Sequence, residues 1–272
     1  MKTLLIISIL LISQMVKSQE EILRYELDND GIIVEVFDSL NKNENRYNLD
    51  NIIYTVKKKF YFDYCYLDTN NIKYLMTKDS ILDWKLAKLS ETNPNSVNQI
   101  IMTISFGLFP FYPEIKDYNQ TVIKYDFNMY NGDFWTNEMT GLIENEKNIW
   151  FHPPRTNLFK ILELNPFPYI KSPYMIGNKW EWKLTVGSHW SDKRWFEWEG
   201  KVINQYDYEI IQKLHLKTKI GKLECYQIEG VTQNRLGTTK LISYFNEQYG
   251  FVKLEYTNID STMIIIEIDK IE

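Results

Sequence analysis

Cysteine, histidine, glycine and proline are all scarce in this 272-residue chain, which has 2 cysteines, 3 histidines, 11 glycines and 8 prolines. Two cysteines are too few for a disulfide-dense scaffold, and no Cys-x-x-Cys pair is present to bind zinc or exchange electrons. The low glycine and proline content excludes collagen-like and low-complexity disordered chains. His152, His189 and His215 are far apart and match no metal-binding pattern, so we predict neither a metal nor a cofactor.

The sequence also lacks the short motifs of common enzymes and the positive charge of a nucleic-acid binder. It contains no Gly-x-Ser-x-Gly elbow, phosphate loop or dinucleotide fingerprint. Its 31 basic residues are outnumbered by 36 acidic ones, which gives a net charge of −5. Because phosphate backbones are bound by basic surfaces, we predict no nucleic-acid partner.

The first eighteen residues have the pattern of a secretory signal peptide. Lys2 precedes a short apolar run from Leu4 to Ile12, and Val16 and Ser18 stand at the −3 and −1 positions of a cleavage site. The run is shorter than the roughly 20 apolar residues that span a bilayer, and no cysteine follows it to accept a lipid. We predict that residues 1–18 are removed and that the remainder is a soluble exported protein, periplasmic or extracellular, without a membrane span. The sequence leaves its oligomeric state open.

Aromatic residues are abundant, with 19 Tyr, 14 Phe and 8 Trp, and they favour half-buried sheet. Alternation predicts strands at Phe60–Leu67 and Val122–Tyr130, and a β-branched run predicts another at Ile52–Val56. The spacing of Ile81, Leu82, Lys85, Leu86 and Leu89 predicts an amphipathic helix over Thr77–Ser90. The fold class predicted is mainly β, a curved antiparallel sheet or incomplete β-barrel with one or two helices.

Five of the eight prolines lie between Pro153 and Pro173, where the backbone must lose ladder hydrogen bonds. This proline segment separates a predicted N-terminal part, residues 19–155, from a C-terminal part, residues 156–272, although one continuous domain over 19–272 is the alternative. Leu158, Ile161 and Leu162 predict a helical turn or two laid across the open side of a sheet. Seven strands of an antiparallel meander follow: Trp180–Val186, Trp195–Asn204, Tyr208–Thr218, Leu223–Thr232, Thr239–Phe245, Phe251–Tyr256 and Met263–Ile268.

Five of the eight tryptophans lie between Trp180 and Trp198, and two interpretations of this cluster are open. Indole rings on facing strands either pack as a sheet core or form a platform for a sugar or an apolar ligand. The candidate ligand-binding residues are the five tryptophans and the polar residues of two loops: Trp180, Trp182, Trp190, Trp195, Trp198, His152, Arg155 and His189.

A catalytic interpretation would use Glu181, Glu197 and Glu199 as the paired carboxylates of a glycoside hydrolase. Strand alternation points Glu181 away from Trp180 and Trp182, which disfavours it, so we predict no catalytic residue. Cys65 and Cys225 leave a further choice, because they either form a disulfide or pack as two free thiols in apolar strands.

Three C-terminal stretches, Ile220–Ile228, Leu241–Asn246 and Tyr249–Lys253, resemble a pattern in exported bacterial β-proteins: a strand of the form G-x-(F/L)-x-(C/A)-(Y/W) followed by a Y-F-(N/S)-x-x-x-G-(F/L)-V hairpin. The pattern is similar to uncharacterised domains with the fold of the lipoprotein carriers. The resemblance implies a curved antiparallel sheet around a helical plug and an exported protein, and it transfers no catalytic residue.

Together these features predict an exported, non-catalytic protein that binds an apolar or amphiphilic ligand, lipid-like or glycan, on the concave face of the sheet. The alternatives are a structural or interaction module of the cell envelope without a small ligand and, third, an exported glycan hydrolase.

Overall fold

The computed structural model of the chain describes residues 25–27, 33–35, 51–80, 83–107 and 120–272. The predicted signal peptide, residues 1–18, lies outside the described residues. The fold is mostly β, with 61% of the described residues in strands, and its antiparallel sheet forms a nearly closed barrel with one unsealed gap. The predicted fold class is therefore confirmed.

Sixteen strands are described: β1 (Tyr25–Leu27), β2 (Ile33–Glu35), β3 (Lys59–Leu67), β4 (Lys73–Lys78), β5 (Trp84–Lys88), β6 (Val97–Ser105), β7 (Thr121–Met129), β8 (Phe134–Glu144), β9 (Asn148–Phe151), β10 (Tyr169–Lys171), β11 (Lys179–Gly187), β12 (Lys201–Thr218), β13 (Gly221–Asn234), β14 (Gly237–Asn246), β15 (Gly250–Thr257) and β16 (Met263–Ile271). Short 3-10 helices occupy Leu89–Glu91, Asn157–Leu164 and Ser188–Trp190.

The barrel wall follows the order β10-β9-β8-β7-β6-β3-β16-β15-β14-β13-β12-β11. Strands β11 to β16 are a meander of sequential antiparallel neighbours, as the sequence predicts. Pairing of β16 with β3 joins the last strand to the N-terminal strands, so one sheet contains both predicted parts of the chain. The division at residue 155 into two folding units stays a prediction.

Aromatic rings bridge the gap between β10 and β11, the two ends of this order. The ring of Tyr169 on β10 lies 5.8 Å from that of Trp180 on β11 and 5.6 Å from that of Tyr208 on β12. The Tyr208 hydroxyl donates a hydrogen bond to the Phe167 carbonyl at 2.9 Å, and the Phe167 and Trp182 rings lie 5.2 Å apart. Ring packing replaces a strand ladder here, because indole and phenol rings bury a large area.

The helix Asn157–Leu164, predicted as a helical turn in the proline segment, is buried beside this gap. Leu158, Ile161 and Leu162 all face the core. The side-chain amide of Asn204 on β12 donates to the Glu163 carbonyl at 3.0 Å, and the Thr239 hydroxyl on β14 donates to the Leu164 carbonyl at 2.7 Å. These hydrogen bonds satisfy helix-end carbonyls that the short helix leaves without partners.

Three predicted elements are wrong in the structure. Thr77–Ser90 is not a helix, since β4 and β5 pair as an antiparallel hairpin that leaves the main order beside β3. Ile52–Val56 is not a strand but a bend. The strand predicted over Trp195–Asn204 begins only at Lys201 and continues without a break through the next predicted strand to Thr218.

Both cysteines are free thiols, which decides between the two sequence-based alternatives. Cys225 on β13 is buried in the hydrophobic core, and burial raises its thiol pKa to about 11. Burial also raises the pKa of Cys65 on β3. Both side chains therefore pack as small, protonated hydrophobes at neutral pH.

Candidate functional site

Trp180 and Trp182 lie on the inner face of the barrel, as alternation along β11 predicts, and both are part of the packed core. Trp180 is stacked on Tyr208 with ring centroids 5.4 Å apart, and Trp182 is stacked on Tyr206 at 4.8 Å. Each pair joins directly opposite positions of β11 and β12. Only 8% of Trp180 and 3% of Trp182 is exposed. Their side chains thus have the surroundings of cross-strand core pairs.

His152 is also enclosed, at the exit of β9. Its ring centroid lies 4.5 Å from that of Phe167, and its Nε2 atom lies 3.3 Å from Oε1 of the buried Glu163. Its Nδ1 atom lies 2.8 Å from the Pro153 carbonyl oxygen. With both ring nitrogens facing protein atoms, His152 is placed to hold the proline segment against the barrel.

Arg155, His189 and Trp190 come together on the outside of the helix Asn157–Leu164. The Arg155 guanidinium lies 5.4 Å from the Trp190 ring centroid, and the His189 ring lies 4.9 Å from the same ring. The Arg155 backbone N–H donates to the Glu138 carboxylate at 2.8 Å. Burial raises the pKa of Glu138, against the lowering effect of this hydrogen bond.

Trp198 belongs to a second, small hydrophobic cluster outside the main core. Its buried neighbours are Leu164, Val186 and Val202, and Trp190 packs against the edge of the cluster. The cluster anchors the loop of residues 188–200 to the barrel wall.

One void among the side chains of the hydrophobic core is very small. Its volume is about 10 Å³, and it is lined by residues of six strands and of the proline segment, namely Phe62, Ile100, Met102, Tyr125, Phe151, Pro154, Leu254 and Ile266. This volume is about that of a single water molecule's probe sphere. The side chains around this void leave no room in it for a guest molecule larger than water.

A larger cavity of about 280 Å³ lies at one end of the barrel, and we call it the end cavity. The β4–β5 hairpin, the helix Asn157–Leu164, the loop 188–200 and the turn between β15 and β16 surround it. Its lining residues are Tyr66, Trp84, Lys85, Leu86, Leu158, Ile161, Arg194, Trp195 and Asp260. Of the eight sequence-predicted ligand-binding residues, Trp195 lines this cavity.

Charged side chains surround the aromatic lining of the end cavity. Arg194 lies with its guanidinium 4.4 Å from the ring centroid of Trp84, and it forms ion pairs with Asp83 at 2.7 Å and Asp192 at 3.2 Å. Lys85 pairs with Asp79 at 2.5 Å. The carboxylate of Asp260 accepts hydrogen bonds from the Thr262 hydroxyl at 2.6 Å and backbone N–H at 3.1 Å.

Sequence reasoning missed most of this lining. Trp84 and Leu86 were assigned to a helix, and no pattern in the sequence brings the hairpin to the loop 188–200. The only available signal was Trp84 itself, a tryptophan outside the cluster that alternates with polar neighbours.

The carboxylates of the hydrolase hypothesis do not lie around this cavity. Glu181 is exposed on the outer face of β11, and Glu197 and Glu199 are exposed in the loop 188–200. Within the described ranges, no three His, Cys, Asp or Glu side chains are grouped so that they would hold a metal ion. None of the described helices has the length and apolarity needed to cross a bilayer.

The molecule is thus a nearly closed antiparallel barrel with a hydrophobic core and an aromatic cavity at one end. No known protein family and no curated protein matches the sequence. Three solved structures are similar: a "putative lipoprotein" from Parabacteroides distasonis, a "putative exported protein with YmcC-like fold" from Bacteroides fragilis, and the hypothetical lipoprotein YmcC from Escherichia coli.

Their sequence identities to this chain are 10%, 11% and 7%, and their TM-scores are 0.44, 0.39 and 0.32. The matches cover 80%, 80% and 82% of this chain and 96%, 96% and 93% of those chains. With every TM-score below 0.5, the similarity carries no argument about function. The likeness to the lipoprotein carriers stays a prediction.

Proposed function

We propose that this chain is an exported protein that binds an apolar or amphiphilic, lipid-like ligand in the end cavity and catalyses no reaction. The observation that carries the proposal is the end cavity itself, which is lined by three aromatic rings and three aliphatic side chains. Its volume of about 280 Å³ is close to the lower end of the roughly 300–1,000 Å³ that ligand pockets occupy. The pattern of residues 1–18 supports export.

The lining favours an alkyl chain over a sugar. Leu86, Leu158 and Ile161 offer no hydrogen-bond partner, and transfer of sugar hydroxyls into such surroundings is unfavourable. An alkyl chain gains about 0.8 kcal/mol for each CH₂ group that it buries. Trp84 and Trp195 add flat apolar surface on which a chain can pack.

Among the predicted ligand-binding residues, Trp195 is the one that we propose to touch the ligand. For Trp180, Trp182, Trp190, Trp198, His152, Arg155 and His189, contact with a ligand stays a prediction. The burial of Trp180, Trp182 and Trp198 favours a packing role for these three.

Binding of the neutral fluorescent probe N-phenyl-1-naphthylamine tests the proposal. We expect saturable binding with enhanced probe emission, and displacement of the probe by decanol but not by a glucan oligosaccharide. Leu86→Trp inserts an indole into the cavity and should weaken probe binding by about tenfold or more, because the ligand then competes with a side chain for the same volume.

Leu89→Trp is the matched control, since Leu89 is 47% exposed in the 3-10 helix that directly follows the same hairpin and does not line the cavity. Its probe affinity should equal that of the wild type. A wild-type protein with no saturable probe binding would contradict the proposal and support the interaction module without a small ligand. Equal affinities for both tryptophan variants and the wild type would place the ligand elsewhere.

A further inference from the structure

The charges that line the end cavity are not balanced. Both cations are engaged by carboxylates outside the lining, Lys85 by Asp79 and Arg194 by Asp83 and Asp192. Asp260 is the one acidic group in the lining, and in the described part of the chain no basic side chain lies within 4.0 Å of its carboxylate. Its two hydrogen-bond donors, the hydroxyl and the backbone N–H of Thr262, carry no positive charge.

The surrounding groups add to this negative balance. Three carboxylates engage Lys85 and Arg194. Together with Asp260 they outnumber these two cations by four to two. An anionic head group that approaches Lys85 or Arg194 would compete with carboxylates already in contact. A cationic head group meets Asp260 without displacing an existing ion pair.

The aromatic lining is also suited to a cation. The Arg194 guanidinium already occupies one face of Trp84, so an ammonium head group would meet the other rings of the lining. Tyr66 and Trp195 contribute two further rings to the same cavity. Indole and phenol faces attract organic cations through their negative ring quadrupole, and ammonium groups are the established ligands of such arrangements.

We propose that the end cavity selects amphiphiles with a positively charged ammonium head, which binds Asp260 and the aromatic rings while the alkyl chain packs on Leu86, Leu158 and Ile161. This inference rests on the proposed function and specifies its ligand class. It predicts different affinities for three ligands of equal chain length whose head groups are positively charged, neutral and negatively charged.

Displacement of bound N-phenyl-1-naphthylamine by decyltrimethylammonium, decanol and decanoate, each below its micelle-forming concentration, tests the selectivity. We expect decyltrimethylammonium to bind about tenfold more tightly than decanol, and decanoate to bind most weakly. Added sodium chloride should weaken decyltrimethylammonium binding and leave decanol binding nearly unchanged, since salt screens the charge interaction.

Asp260→Asn removes the charge and keeps the oxygen that accepts the Thr262 hydrogen bonds. It should lower the affinity for decyltrimethylammonium about tenfold and leave the decanol affinity unchanged, which also reports that the variant is folded. Glu247→Gln is the control, because Glu247 is an exposed carboxylate in the turn at the opposite end of β15. It should change neither affinity.

Two different failures are distinguishable. If decyltrimethylammonium binds no more tightly than decanol, or if salt affects both equally, the charge selectivity is overturned while the proposed function stands. If neither the probe nor any of the three decyl compounds binds, the proposed function itself fails. If Asp260→Asn also alters decanol binding, the salt dependence of decyltrimethylammonium binding to the wild-type protein decides alone whether the cavity recognises head-group charge.

Discussion

Glu144 shows how one side chain determines the path of a whole segment. Its Oε1 atom accepts the backbone N–H groups of Ile52 and Ile53, both at 2.8 Å, and its Oε2 atom accepts that of Tyr54 at 2.9 Å. The carboxylate is buried at the end of β8. Because it satisfies three consecutive donors, these residues need no partner strand and form a bend.

Replacement of this carboxylate should destabilise the protein substantially. Glu144→Ala leaves three backbone donors without their acceptor, and we expect a loss of about 3 kcal/mol or more in the free energy of unfolding. Urea denaturation with a fluorescence readout measures it. Glu146→Ala, two residues further on and exposed, should change the same quantity by less than about 0.5 kcal/mol. A comparable effect of both variants would show that the three hydrogen bonds contribute little.

Ile52–Val56 also marks a limit of prediction from local sequence. Its β-branched residues favour a strand, and that preference is real but weak. The acceptor for its backbone donors lies about ninety positions away along the chain. A window of neighbouring residues carries no information about it.

At the scale of elements, the β4–β5 hairpin shows the same limit more strongly. The apolar residues between Thr77 and Ser90 recur near the helical period, yet Trp84 and Leu86 also alternate as in a strand. Backbone pairing from Tyr74–Lys88 to Lys78–Trp84 decides in favour of the hairpin. Periodicity over so short a run fits both structures, and pairing with β3 supplies the missing constraint.

The opposite error occurred at β12, where two predicted strands are one. The first of these predicted strands ends at Asn204 and the second begins at Tyr208. In the structure Asn204 is completely buried, and its amide donates to the Glu163 carbonyl and to the Tyr206 hydroxyl, both at 3.0 Å. A buried asparagine with satisfied hydrogen bonds remains compatible with a continuous strand. In the loop 188–200, which precedes β12, the rings of Trp190, Trp195 and Trp198 face three different places.

Arg194 connects the β4–β5 hairpin to the loop 188–200 and should govern the hairpin's mobility. Arg194→Ala removes the ion pair to Asp83 and the contact with the Trp84 ring. We expect faster amide hydrogen exchange in β4 and β5, with exchange in β13 to β15 unchanged, because the hairpin is attached to the barrel on one side only.

Arg235→Ala is the matched control, since Arg235 bonds the Glu199 carbonyl at the other end of the same loop. Its exchange pattern in β4 and β5 should equal that of the wild type. Unchanged hairpin exchange in Arg194→Ala would show that strand pairing with β3 and apolar contacts hold the element without Arg194.

At the scale of the whole molecule, the core is built largely from aromatic rings. Its deeply buried tyrosines include six, namely Tyr54, Tyr64, Tyr125, Tyr206, Tyr208 and Tyr256. Burial raises the pKa of each phenol well above its ordinary value. The sequence predicted the order of the C-terminal strands from alternation and short connections, and it left open whether the tryptophans form a sheet core or a ligand platform. It did not predict the closure of β16 on β3 or the end cavity, which depend on contacts distant in sequence.

The buried phenols should make stability fall at high pH. An unfolded chain releases its tyrosine protons near pH 10, whereas the folded core retains them. The folded state then binds more protons, so the free energy of unfolding decreases as the pH rises above about 10. Urea midpoints at about pH 8 and about pH 11 should show this decrease, and tyrosinate absorbance should rise steeply only on unfolding. A midpoint independent of pH in this range would contradict the proposed state of the phenols.

The ring-bridged gap between β10 and β11 has a thermal consequence. Contacts between apolar rings weaken on cooling, because their free energy derives mainly from the release of hydration water. The remainder of the barrel wall is joined by hydrogen bonds between strands. We therefore expect the contacts across the gap to weaken before the rest of the wall as the temperature drops. In a cold solution, the ring-bridged gap between β10 and β11 is therefore the most weakly held part of the barrel wall.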